Sequence, residues 1–182
     1  MNVCGRGLWH LGTGTAACLA SVGHRVIGLD FDTAVIEKLK HGQPPLFEPG
    51  LEDLVKAGLA AGTLSFSDDP AQALGAAQVV WVAYDTPVDE DDRADVDYVL
   101  SRVEQALPYM QPSALTLISS QLPAGSTRRL EAAAAGLNKD LRFAYSPENL
   151  RLGKAIDVFT HPDRVVVGAR TERDRALIAE LL

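Results

Sequence analysis

The sequence predicts an α/β chain, a Rossmann-like doubly wound, mostly parallel sheet with helices on both faces. Three observations predict it. Short apolar runs alternate with longer amphipathic ones along all 182 residues. Runs such as Val79-Val80-Trp81-Val82-Ala83 are apolar on both faces, as strands of a covered parallel sheet are. A glycine-rich turn, Gly7 to Gly12, sits between the first run and an Ala-rich segment.

Each element follows from local pattern. Val3-Cys4 begins a first strand, and Leu11 to Val22 reads as a helix ended by Gly23. Arg25 to Asp30 is a strand and Thr33 to Lys40 a helix, broken by Gly42-Gln43-Pro44-Pro45. Pro49-Gly50 precedes a helix near Leu51 to Leu59. Thr63 to Ser67 is a short strand, and Pro70 to Leu74 a short helix. Gln78 to Tyr84 is the doubly apolar strand, followed by a helix over Asp95 to Leu107. Ala114 to Ser119 (strand), Gly125 to Ala135 (helix) and Leu141 to Tyr145 (strand) continue the alternation. Arg164 to Gly168 is expected as a further strand and Thr171 to Leu182 as the last helix. No interior linker, repeat or low-complexity tract divides the chain, so residues 1–182 read as one domain.

Composition narrows the function. The chain is 47% hydrophobic and 23% charged, ordinary for a globular protein, with a net charge of -7 and pI near 5.0. That acidity argues against nucleic acid as the main partner. It leaves room for an anionic small ligand, because a helix N-terminus holds a phosphate without net positive charge. No apolar run approaches the ~20 residues of a membrane span, and no signal peptide is visible. Neither a nucleic-acid nor a membrane partner is expected. Cys4 and Cys18 lack metal-ligand spacing and sit in apolar segments, which reads as buried free thiols in a cytoplasmic protein. No metal is expected. His10, His24, His41 and His161 are dispersed, and the acidic stretch from Asp85 to Asp97 lacks a calcium-loop pattern. No nucleophile elbow surrounds Ser126.

The glycine turn admits two registers, Gly5-Gly7-His10 or Gly7-Trp9-Gly12. The third position must be small, because helix and strand pack closest there. Gly12, Ala16 and Ala20 recur every fourth residue and make one small face. The second register is therefore preferred, with Gly7, Leu8, Trp9, His10, Leu11 and Gly12 as the cofactor turn. Asp30 then lies 23 residues after Gly7, near the ~20 expected of an acid that binds ribose hydroxyls. A carboxylate there repels a 2′-phosphate, so NAD is expected over NADP. Trp9 stands where the second glycine belongs. It is compatible with the turn if its backbone angles are ordinary and its indole turns away from the phosphates. Arg6 is unusual at the end of a buried strand.

Further motifs follow in a fixed order. They are Thr15-Ala16-Ala17-Cys18-Leu19-Ala20, Pro45-Leu46-Phe47-Glu48-Pro49-Gly50-Leu51, Thr86-Pro87 and Pro123-Ala124-Gly125. Pro147 to Gly153 and Pro162-Asp163-Arg164 complete the set. With the glycine turn, this series resembles the N-terminal, NAD-binding half of the UDP-glucose/GDP-mannose dehydrogenase family over the whole chain. The resemblance implies a two-step, four-electron oxidation of the C6 alcohol of a nucleotide sugar to a carboxylate, using two NAD. In that family a cysteine of the C-terminal half captures the intermediate, and a lysine there also takes part. Neither Cys4 nor Cys18 lies in a matching motif. The chain is accordingly expected to be part of a longer dehydrogenase, inactive alone, with the full-length protein a homodimer or larger.

The resemblance also assigns site residues. Glu148 is the candidate catalytic group. It could orient or deprotonate the attacking water, or be a loop acid paired with Arg151. Glu148, Asn149, Leu150 and Arg151 form the candidate substrate loop, in which Arg151 either contacts the sugar or holds the loop. Thr86 and Gln121 are candidate cofactor contacts, although Thr before Pro also starts turns. Asp163 and Arg164 are expected to fix the entry to a strand. Two positions depart from the family pattern: Gln121 replaces a Thr, and Leu152 replaces an acid. Gln121 keeps hydrogen-bonding capacity and Leu152 does not. Two other readings use the same fold: a non-catalytic nucleotide sensor, and the cofactor domain of a 6-phosphogluconate- or hydroxyacyl-type dehydrogenase. The Pro147 to Gly153 motif disfavours the first. The Glu-Pro-Gly-Leu and Pro-Asp-Arg segments disfavour the second.

Overall fold

The computed structural model describes residues 1–147 and 150–182. The strands β1 (Asn2–Arg6), β2 (Arg25–Leu29), β3 (Leu64–Ser67), β4 (Val79–Val82), β5 (Leu115–Ile118) and β6 (Arg142–Tyr145) form one six-stranded sheet, ordered β3-β2-β1-β4-β5-β6. Every ladder in it is parallel. β1 pairs with both β2 and β4, so strand order reverses beside β1 and opens a crevice at the carboxyl ends of the strands.

The helices are α1 (His10–Ser21), α2 (Thr33–Lys40), α3 (Leu51–Ala61), α4 (Pro70–Leu74), α5 (Val96–Ala106), α6 (Ser126–Ala134), α7 (Ala155–Thr160) and α8 (Glu172–Leu181). They form two apolar layers. One gathers Ala16, Ala20, Ile36, Val55 and Ile178 against Val3, Val79 and Trp81. The other gathers Leu74, Val99, Val103 and Leu130 against Cys4, Val80 and Val82. Successive residues of β4 thus enter opposite cores, which is why that strand is apolar throughout. Asp32, Asp69, Asp95 and Thr171 cap α2, α4, α5 and α8 through their side chains. Arg142 of the edge strand pairs with the buried Asp174, tying α8 to the sheet.

Two expectations fail after β6. The expected strand over Arg164 to Gly168 is absent. Gly168 alone bridges Tyr145, antiparallel, through Tyr145 N to Gly168 O (2.9 Å) and Gly168 N to Tyr145 O (2.8 Å). The Val165-Val166-Val167 run has strand composition, but only Gly168 reaches the free edge of β6, at its last residue Tyr145, and Val165 and Val166 are exposed. Asp163 and Arg164 therefore fix no strand entry and line a cleft instead. α7 was not anticipated, because its six residues carry only an Ile156/Phe159 pair at helical spacing. That pair packs into the first core, where the Phe159 ring meets Trp81 at 5.8 Å.

Candidate functional site

The site begins with a turn that only glycine can make. Gly7 has φ +85°, and a Cβ there would lie 2.7 Å from the backbone N of Tyr84. A Cβ on Gly12 would lie 2.0 Å from Gly7 O. Gly12, not His10, thus occupies the closest approach of α1 to β1. Thr13 donates to Leu8 O at 3.0 Å and locks the turn from behind. Trp9 is the N-cap of α1 at φ -84°, ψ -139°, outside the helical and extended ranges, and is 50% exposed. It makes no side-chain cap, and no acid lies in the first turn of α1. The first amides of this helix are therefore left for an anion, unlike those of the capped helices.

Asp30 follows β2 and is half-buried. Its Oδ2 accepts from Leu8 N (2.9 Å) and its Oδ1 from Asp32 N (3.2 Å). Each oxygen keeps a lone pair, so the carboxylate braces the turn and retains capacity for further donors. Next to it lies a cluster that the sequence marked only by the oddity of Arg6. Arg6 is fully buried and donates from Nη1 to Arg102 O at 2.8 Å. The Arg6 and Arg102 guanidiniums lie over the Phe31 ring at 5.5 and 5.1 Å. Arg6 also lies over Tyr84, whose phenol is pushed up to about 12 by burial, with Asp30 adding to the rise.

His10 and Glu48 come together across 38 residues, with His10 Nε2 3.4 Å from Glu48 Oε2. Glu48 is buried and accepts from Gly153 N (2.7 Å) and Ala155 N (2.8 Å). Burial alone would raise its pKa; these two amides and His10 outweigh that and hold it below the ordinary carboxylate range. Asp85 is pushed up by burial and pulled partly back by His10. The Glu-Pro-Gly-Leu motif was visible in the sequence, but nothing there showed that its Glu reaches residues 153 and 155.

The remaining candidates separate. Thr86 donates its hydroxyl to Gln121 O at 2.9 Å, which brings these two together at the ends of β4 and β5 and leaves the Gln121 side chain exposed. Leu150 and Arg151 line a cleft of about 940 Å³ with Ser146, Trp81, Lys154 and Asp163. Glu148 and Asn149 lie outside the described residues. Of the turn residues, Leu8 is buried in the first core and Leu11 packs partly against it. Cys4 and Cys18 are buried free thiols, raised by burial to about 12 and about 11. Among the described residues no group of three or more His, Cys, Asp or Glu is placed to hold a metal, and no helix is long and apolar enough to cross a membrane.

Comparison with known proteins agrees with this geometry. Residues 1–182 match the family model of the UDP-glucose/GDP-mannose dehydrogenase family, NAD binding domain. A UDP-glucose 6-dehydrogenase of Pseudomonas aeruginosa is 35% identical over 175 residues, covering 93% of this chain and 39% of that protein. A UDP-glucose dehydrogenase structure from Pyrobaculum islandicum superposes with a TM-score of 0.92 at 31% identity, covering 98% of this chain and 43% of that one. A ternary complex of GDP-mannose dehydrogenase from Pseudomonas aeruginosa gives 0.91 at 26% identity, covering 100% and 44%. The chain thus spans about two fifths of the length of these relatives.

Proposed function

The chain belongs to the UDP-glucose/GDP-mannose dehydrogenase family as its NAD-binding domain, and from that premise we propose that it serves the oxidation of the C6 alcohol of a UDP- or GDP-sugar to a carboxylate in two NAD-dependent steps. One observation carries this reading. The cofactor turn and the segment after Pro147 are joined at the same end of the sheet through Glu48, next to an open cleft. A sensor needs only the first of these.

The turn residues fit NAD. Gly7 and Gly12 let the backbone approach a pyrophosphate, the free amides of α1 receive it, and Asp30 selects ribose hydroxyls. When bound, NAD supplies the hydride acceptor. The Thr86 hydroxyl holds the Gln121 loop at the ends of β4 and β5, which supports a role for both toward the nicotinamide. Arg151, Lys154 and Arg164, beside Asp157 and Asp163, give the cleft a mixed lining with cations that suit a nucleotide-sugar diphosphate. By its place in the family motif, Glu148 is the proposed acid that handles the attacking water; its sequence position supports this.

Oxidation needs both reacting partners held in place. The residues described here supply one wall of the cleft, so the chain alone is expected to bind NAD without turning over sugars. The test is to incubate the purified chain with NAD and a panel of UDP- and GDP-sugars, following NADH absorbance beside calorimetric NAD titration. Binding without NADH supports the reading. Sustained NADH production would place the whole catalytic set within these 182 residues and overturn it.

A further inference from the structure

We propose that Glu48 is a positioning residue for the cofactor site, one that acts through His10 and couples the cofactor turn to the end of the substrate loop. The inference rests on the NAD reading above. A single buried carboxylate contacts two regions far apart in sequence: His10 in the turn, and the neighbouring amides of Gly153 and Ala155 beyond Arg151. His10 is itself buried, at the first residue of α1, where the helix leaves its amides for an anion. Phe47, beside it, is fully outside the core, so the segment is not held by simple apolar burial there. The Glu48 side chain turns inward alone, and an apolar residue of similar size would leave two amides without acceptors.

This arrangement assigns a division of labour. Gly153 N and Ala155 N fix Glu48, and Glu48 fixes the imidazole by accepting from its Nε2–H. That choice of donor sets which ring nitrogen remains for other partners. The imidazole then holds one orientation beside the pyrophosphate end of the turn. A change at the substrate loop is thereby felt at the cofactor, and the reverse follows by linkage.

The test is a double-mutant cycle on NAD binding, using the chain itself with His10→Ala, Glu48→Gln and the double variant. Glutamine keeps the shape, but its amide N–H meets one of the two backbone donors. If Glu48 acts through His10, Glu48→Gln weakens NAD binding about fivefold in the unmodified chain and less than about twofold in the His10→Ala background. Amide exchange at Gly153 and Ala155 is read with and without NAD. Slowing by NAD in the unmodified chain, lost in His10→Ala, is the expected signature of coupling. Equal loss of affinity in both backgrounds, or none in either, reduces Glu48 to a structural clasp and overturns the proposal. Should Glu48→Gln not fold, the exchange response of His10→Ala decides alone: protection by NAD that survives this change is equally fatal. An unmodified chain that does not bind NAD defeats the cofactor reading itself, a result distinct from binding without coupling.

Discussion

The cofactor turn and the segment after β6 lie at the same end of one sheet and are held in opposite ways. The turn is a backbone object. Its shape comes from a positive φ at Gly7, a close approach at Gly12 and one carboxylate, Asp30, 22 residues away. The later segment has little regular structure to hold it. Among its described residues, the bridge at Gly168, the Phe159–Trp81 contact of α7 and the Arg142–Asp174 pair of α8 tie it to the sheet, and the distant carboxylate of Glu48 ties it to the cofactor turn. A dinucleotide needs the same grip in every member of the fold, so a local, strand-borne device suffices. A substrate wall has to differ between enzymes, and loops hung on a few distant anchors change shape without disturbing the sheet.

The comparison breaks most forcefully at Gly12. Gly12→Ala places a Cβ within 2.0 Å of the Gly7 carbonyl, so α1 must move off β1. The expected cost is about 3 kcal/mol or more, lowering the melting temperature by roughly 6–12 °C and abolishing NAD binding. Gly14→Ala, two residues further into α1, meets nothing within 4 Å and is expected to stabilise by about 0.5 kcal/mol. Thermal denaturation of the pair checks it. Similar melting points would mean that the turn tolerates repacking.

Glu48→Ala is the corresponding break on the other side. It leaves the amides of Gly153 and Ala155 unpaired, at a cost of about 2 kcal/mol. The effect should fall on residues 153–160 and spare the sheet, which amide exchange resolves by position. Acid acts on the same bonds. The pKa of Glu48 is depressed in the folded chain, so its stabilisation is complete above the unfolded value of about 4.3 and is lost as pH falls through the lower folded value. Exchange near α7 should rise in that window before the strand amides of β1 and β4 respond. Simultaneous loss throughout would show that the two regions are one cooperative unit.

Asp30→Ala should sharpen the contrast at smaller cost. It removes the acceptor for Leu8 N and the ribose ligand together, so NAD affinity falls about tenfold, or about 1.4 kcal/mol. The unmodified chain should bind NAD more tightly than NADP. With the carboxylate gone, the Arg6 and Arg102 guanidiniums around Phe31 leave positive charge beside the ribose site, and the preference for NAD should shrink. Calorimetric titration with both dinucleotides decides this. Equal or tighter NADP binding by the unmodified chain would overturn the role of Asp30.

What was legible in the sequence follows the same division. β1, α1 and β2, the glycine register and Asp30 could be read from residues within 30 positions of one another, because strand pairing and helix packing repeat locally. The doubly wound, mostly parallel sheet followed from the alternation of elements, while the strand order β3-β2-β1-β4-β5-β6 is a finding of the structure. The strand expected at Arg164 could not be tested by pattern, since its valines satisfy strand composition whether or not an edge is available. α7 was hidden by its length. The reach of Glu48 to residues 105 and 107 positions away has no local signature at all. Arg6 was conspicuous, but its partners Phe31, Tyr84 and Arg102 come from three different loops and helices, which only the fold assembles.

The smallest expected effect concerns the residue that looks most disruptive on paper. Trp9 replaces the glycine whose usual task is to let backbone approach the pyrophosphate. Its φ of -84° is negative, so replacing it relieves no left-handed strain, although its ψ of -139° lies outside the helical and extended ranges. Its side chain caps nothing and is half exposed, so removal breaks no hydrogen bond and uncovers little core. Glycine is also a tolerated N-cap. Trp9→Gly should therefore change stability by no more than about 0.5 kcal/mol. It should leave NAD binding unchanged or strengthen it by clearing space at the end of α1. The same titration and melting experiments measure both. A large loss of NAD affinity in a fully folded variant would mean that the indole is a cofactor contact, and that this turn, like the segment after β6, depends on a side chain as well as on its backbone.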